Sequence, residues 1–97
     1  MDGMGAEERL IVPSRKENID IIRGMALAAA AAAAPSEAVN TEVTEDFPNE
    51  QVKVSVRVGK RSAVFAVYNG DVERVQGESS VMRKAEGLIQ GALAQLR

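Results

Sequence analysis

Seven consecutive alanines, Ala28–Ala34, closed by Pro35, constrain this chain more than any other feature. Alanine is the strongest helix former and a poor core filler. The run therefore fixes a rod of backbone while offering little apolar area per residue. Pro35 disfavours helical geometry at Ala34 and ends the rod there. Upstream, Ser14-Arg15-Lys16-Glu17 has the form of a capping box, in which the Ser14 hydroxyl accepts from the Glu17 amide and the Glu17 carboxylate reaches back to the Ser14 amide. Together these signals predict a helix from about Ser14 to Ala34, roughly 30 Å long. Its apolar stripe reads Ile22, Met25, Ala29 and Ala33, with the buried face beginning at Ile19 because Asn18 is polar.

A methyl-sided rod needs a sheet or a second subunit to cover it. The rest of the composition sharpens that demand. The chain has 97 residues, 45% of them hydrophobic but only 3% aromatic, which is one domain with a thin core. Burial through association of identical copies is the expected remedy. Residues 1–13 read as a flexible polar tail, within which Leu10, Ile11 and Val12 form a brief strand or an anchor; residues 14–97 read as a single α+β domain. The apolar stretch Met25–Pro35 is too short and too weakly hydrophobic to span a bilayer, and the mixed charges before it do not suit a signal peptide.

From Glu37 the apolar period changes from that of a helix to two. Val39, Thr41 and Val43 alternate with polar residues, and Glu45–Asp46 with Pro48–Asn49 mark a turn. Val52, Val54, Val56 and Val58 then line one face of a strand, with Lys53, Ser55 and Arg57 on the other. Gly59–Ser62 is a short connection. Ala63–Tyr68 is apolar on both faces, which predicts a central or covered strand. Asn69–Gly70 carries a strong hairpin signal, so Asp71–Gln76 reads as a returning edge strand. Ser79 or Ser80 caps a last helix, whose apolar face holds Val81, Ala85, Leu88, Ala92 and Leu96. The predicted fold is α+β: an N-terminal helix, three to four antiparallel strands and a C-terminal helix.

The chain contains neither cysteine nor histidine. Disulfides, zinc fingers, Cys or His nucleophiles and imidazole bases fall together. Val58–Ser62 lacks the glycine spacing of a phosphate loop. The carboxylates Glu37, Glu42, Glu45, Asp46 and Glu50 sit on a turn and on outward strand positions, which suits a solvated rim better than an acid/base pair. The chain is therefore not expected to be an enzyme or to hold a metal or cofactor. A net charge of −2 argues against an electrostatic grip on nucleic acid. The basic set Lys53, Arg57, Lys60 and Arg61 and the acidic stretch from Glu37 to Glu50 form opposite patches, which suit head-to-tail association into a ring.

The order of elements resembles a known family. A capped helix ends in Ala28–Pro35; an extended segment holds Val39 and Val43; the strands Val52–Val58 and Ala63–Tyr68 follow; a closing helix runs from Val81-Met82-Arg83-Lys84-Ala85 to Ala92-Leu93. This is similar to the small head–tail joining (neck, or tail-completion) proteins of long-tailed bacteriophages. The resemblance implies a structural virion protein, made in the host cytoplasm. It implies a ring of identical subunits between the capsid portal region and the tail tube, with portal or adaptor and tail proteins as partners. DNA would pass through without specific contact, and no membrane is involved. The expected subunit contacts are the hairpin tips Lys60, Arg61, Asn69 and Gly70, with Phe47 as an anchor. The alternatives are a small monomeric adaptor that adds a strand to a partner through the Asp71–Gln76 edge, and a nucleic-acid-binding regulator using the Lys53–Arg61 surface.

Overall fold

A computed structural model describes residues 14–96. The predicted tail at 1–13, with Leu10–Val12, lies outside the described residues. Helix α1 (Arg15–Ala33) is followed by strand β1 (Val39–Asp46), a 3-10 turn (Phe47–Asn49), β2 (Gln51–Val58), β3 (Arg61–Tyr68), the short helix α2 (Asn69–Arg74) and α3 (Ser79–Ala94). The fold class is the α+β arrangement expected.

The capping box starts α1. Ser14 Oγ accepts from the Glu17 amide at 3.1 Å, and the Ser14 amide donates to Glu17 Oε1 at 3.0 Å. The helix ends where Ala34 N–H closes on Ala30 O at 2.9 Å, one residue before Pro35. Its buried stripe is Asn18, Ile22, Ala26 and Ala30, rotated from the expected one. Ala33 is exposed, while Met25 and Ala29 are half-buried. Asn18 is buried because Gln76 Nε2 donates to its Oδ1 at 2.8 Å, a partner 58 residues away. A polar group with such a bond is tolerated inside.

The strands form a meander in the order β1-β2-β3, both pairs antiparallel. Val39, Thr41 and Val43 of β1, the four valines of β2, and Ala63, Phe65 and Val67 of β3 share one face. The alternation of side chains puts all of them under the helices. Helix α1 lies over β1 and β2, α3 lies over β3, and the two helices touch. The core runs between them, from Ile22, Ala26 and Ala30 through the valines to Ile89 and Leu93. The β2–β3 turn is only Gly59–Lys60, because Gly59 takes φ +61° and closes a two-residue hairpin with Arg61 already in the strand.

Other expectations are corrected as well. Asn69–Gly70 does not turn a hairpin: the chain enters α2 there, and the edge strand at Asp71–Gln76 does not form. Val72 and Val75 are fully covered by the core, and their spacing of three suits a helix. Strand β3 is then an edge of the sheet, and β2 is central. Neither Ser79 nor Ser80 caps α3. Glu78 is the N-cap residue and its side chain makes no capping bond, so both serines fall inside the first turn.

Candidate functional site

The valine alternation that buries one face of the sheet leaves the other, among the described residues, without a layer over it. On that open face β1 presents Asn40, Glu42, Thr44 and Asp46; β2 presents Gln51, Lys53, Ser55 and Arg57; β3 presents Ser62, Val64, Ala66 and Tyr68. The face is polar across β1 and β2 and largely apolar along β3. Val64 is 53% exposed and Tyr68 62%, and Phe47 in the β1–β2 connection is 77% exposed. Two of the three aromatic residues of the chain thus lie outside the core, against the usual placement of such side chains.

Among the described residues the sheet has two unpaired margins, and backbone bonding tells them apart. Bonded pairs alternate along an antiparallel ladder. Asn69 N–H donates to Glu50 O at 2.9 Å, which extends the β2–β3 ladder and makes Arg61, Ala63, Phe65 and Val67 its bonded residues. The N–H and C=O groups of Ser62, Val64, Ala66 and Tyr68 therefore point outward from the margin. Among the described residues none of these groups has a hydrogen-bond partner in another element. By the same logic Gly59 N–H to Ala38 O, at 2.9 Å, leaves Val39, Thr41, Val43 and Glu45 with outward groups on β1. There the Thr41 N–H is taken by Asn40 Oδ1 at 2.8 Å.

Charged side chains fasten β1 to the rest of the body. Arg15 donates to both Glu45 oxygens, at 3.1 and 2.7 Å, and to Asn69 Oδ1 at 2.8 Å. The guanidinium holds the Glu45 carboxyl below the ordinary carboxylate range, and the carboxylate holds the Arg15 proton more tightly still. Arg23 donates to Thr41 Oγ1 at 3.2 Å. Asp46 accepts from Asn49 and Gln51, which hold its carboxyl below the ordinary carboxylate range, and Lys53 stands 3.7 Å away. At the start of α2, Lys84 lies 2.9 Å from Asp71 and holds that buried carboxyl low against the opposing effect of burial; Arg74 adds to this at 3.1 Å.

The five expected contact residues lie at different places. Lys60 is exposed at the β2–β3 turn, and Phe47 is exposed at the other end of the sheet. Arg61 bonds Glu37 at 3.0 Å and the Leu96 carbonyl, beside a crevice of about 550 Å³ between the ends of α1 and α3. Asn69 is half-buried and clamps α1 to the end of β3, while Gly70 is exposed and its carbonyl accepts from Arg74 at 3.1 Å. The opposite patches are partly consumed within the chain, by Arg61–Glu37 and Lys53–Asp46. The features that sequence reasoning missed are Val64 and Tyr68 on an open margin. Their signal was present: a strand apolar on both faces has one face to cover.

The crevice is walled mostly by alanine, proline and leucine, with Glu37 and Arg61 paired with each other at its rim. Among the described residues no group of three or more acidic side chains is placed to hold a metal ion, and no helix is long and apolar enough to cross a membrane. Compared with protein families, with characterised proteins and with solved structures, the chain finds no match.

Proposed function

We propose that this protein is a structural assembly subunit, whose work is association with identical copies. The observation that carries the reading is the open sheet face, where Val64 and Tyr68 stand exposed on a chain with few large apolar residues to spare. Exposed large side chains grouped on one element mark an interaction surface more often than chance scatter does. The helix and sheet supply the platform, and Arg15–Glu45 and Arg23–Thr41 fasten β1 to α1.

The resemblance to phage head–tail joining proteins gives this reading its specific form: a ring of copies between the portal region and the tail tube. An acidic balance, with a net charge of −2, suits a passage that does not retain DNA. Because the opposite charges are partly paired within the chain, by Arg61–Glu37 and Lys53–Asp46, apolar contact is assigned a larger share in closing such a ring.

Native mass spectrometry tests the proposal. Discrete multiples of the 10.3 kDa chain are expected at micromolar concentration. A species that stays at one copy over the whole range, alone and mixed with portal and tail components, refutes it.

A further inference from the structure

We propose that β3 is the strand through which one copy pairs with a second copy, β3 against β3, antiparallel about a two-fold axis. The proposal rests on the assembly reading as association of identical copies and not on its ring form: a two-fold contact makes both faces of any larger assembly alike, whereas a ring with distinct portal and tail faces closes through head-to-tail contacts. Three independent observations meet on this strand. Its outward backbone groups, at Ser62, Val64, Ala66 and Tyr68, are unmatched among the described residues. Three of these, Val64, Ala66 and Tyr68, carry the apolar strip of the open face. The strand is eight residues long and lacks the devices that blunt a free margin, having no proline and no charge from Ser62 to Tyr68.

A fourth observation lies on α3, the helix over this strand. Glu86, Ile89 and Gln90 of this helix line its groove with α1. Helical periodicity puts Leu88 and Gly91 on the opposite flank, with Gly87 one turn before. Since α3 lies over the outermost strand, that flank faces past the β3 margin. A Cβ built at Gly87 or Gly91 meets nothing within 4 Å, so packing inside the chain does not require either glycine. Both leave room for the α3 of a copy seated on β3.

The register follows from the bonding. Only an axis through Phe65 joins all four outward residues, pairing Ser62 with Tyr68 and Val64 with Ala66. Every opposed pair is then free of like charge, and apolar side chains meet at the centre. This self-complementarity selects a second copy as occupant, because a peptide recognised by charge finds none from Ser62 to Tyr68, and Arg61 is engaged by Glu37 and the Leu96 carbonyl. The pair fuses two three-stranded sheets into one. Any larger closed assembly built on it contains an even number of copies.

The experiment is sedimentation equilibrium of the full chain from micromolar to millimolar, with Val64→Lys and, as a matched control on β1, Thr44→Lys. A two-copy species is expected for the wild type. Val64→Lys puts two lysines diagonally across the axis and weakens pairing by roughly tenfold or more, while Thr44→Lys leaves it unchanged. Amide exchange in the unaltered chain supplies a second readout: Val64 and Ala66 amides gain protection as concentration rises. If the wild type assembles but Val64→Lys does not weaken it and those amides stay unprotected, the β3 proposal fails and the assembly reading survives. A wild type that remains one copy throughout overturns both. A wild type that pairs only after removal of residues 1–13 shows that its own N-terminal segment occupies the margin, and the proposal is again wrong.

Discussion

The two margins of the sheet are the same length and were built from the same backbone, yet they are finished differently. On β1 the residues with outward backbone groups turn their side chains inward, where Arg15 and Arg23 of α1 engage Glu45 and Thr41. Asn40 stops the Thr41 amide, and Glu42, Glu45 and Asp46 spread negative charge along the strand. On β3 the residues with outward backbone groups turn their side chains onto the open face, and they are Ser, Val, Ala and Tyr. One margin is fastened inward and charged, while the other is bare and apolar. The pleat explains how a meander can do this: a free margin exposes alternate residues, and which alternate set it exposes decides which face those side chains occupy.

The largest effect that separates the faces of β3 belongs to its inner side. Phe65 is 6% exposed beneath α3, and Phe65→Ala is expected to cost about 3–5 kcal/mol in urea unfolding, much of what a domain this size has. Val64→Ser, one residue away on the outer face, is expected to change monomer stability by less than about 0.5 kcal/mol. Equal losses at the two positions would mean that the open face is covered within the chain.

Next comes α1. Ala30 is wholly buried and Ala31 is exposed. Overpacking at Ala30→Leu is expected to cost about 1–3 kcal/mol, whereas Ala31→Leu should stay within about 0.5 kcal/mol. Thermal unfolding of the pair tests whether the rotated stripe, rather than the one through Ala29 and Ala33, is what touches β1 and β2.

That rotation shows what the residues disclosed in advance. The capping box, the valine alternation of β2 and the Ala-Pro stop are local signals, and each produced the element expected of it. Asn18 could not be read as buried, since its bond comes from Gln76 far along the chain. Asn69–Gly70 read as a hairpin because that pair favours one locally. The tertiary burial of Val72 and Val75 and the Asp71–Lys84 pair outweighed the turn preference, and only the spacing of the two valines hinted at it. The apolar outer face of β3 was visible, but whether it was central or marginal depended on the fourth strand, which the same misleading dipeptide had supplied.

Acid separates the margins in another way. Asp71, Glu45 and Asp46 are all held below their ordinary range in the folded chain. A carboxyl that releases its proton more readily when folded stabilises the fold above its unfolded value, and that contribution is lost as pH falls through the folded one. Stability is therefore expected to be flat above about pH 5 and to fall below about pH 4. Lys84→Met should make that fall shallower, because it removes the main cause of the Asp71 shift. No carboxylate or basic side chain lies on β3 from Ser62 to Tyr68. Self-association measured by sedimentation should accordingly hold steady down to the pH at which the monomer loosens. An earlier loss would place a carboxylate in the contact.

The smallest effect tests whether β1 is blunted by its cap or by its charges. Asn40→Ala releases the Thr41 amide to water, and the cost should be under about 1 kcal/mol because water replaces the lost acceptor. If the amide cap were the barrier to pairing, its removal would open β1 and raise the assembly state seen by sedimentation. The acidic side chains argue otherwise: two β1 strands brought together through their outward groups would set Glu42 opposite its own copy, and like charges facing across strands repel. Asn40→Ala should therefore leave association as it is, while Glu42→Gln combined with Asn40→Ala should begin to raise it. A rise with Asn40→Ala alone would show that one side-chain amide, and not the charge along the strand, keeps the two margins of this sheet different.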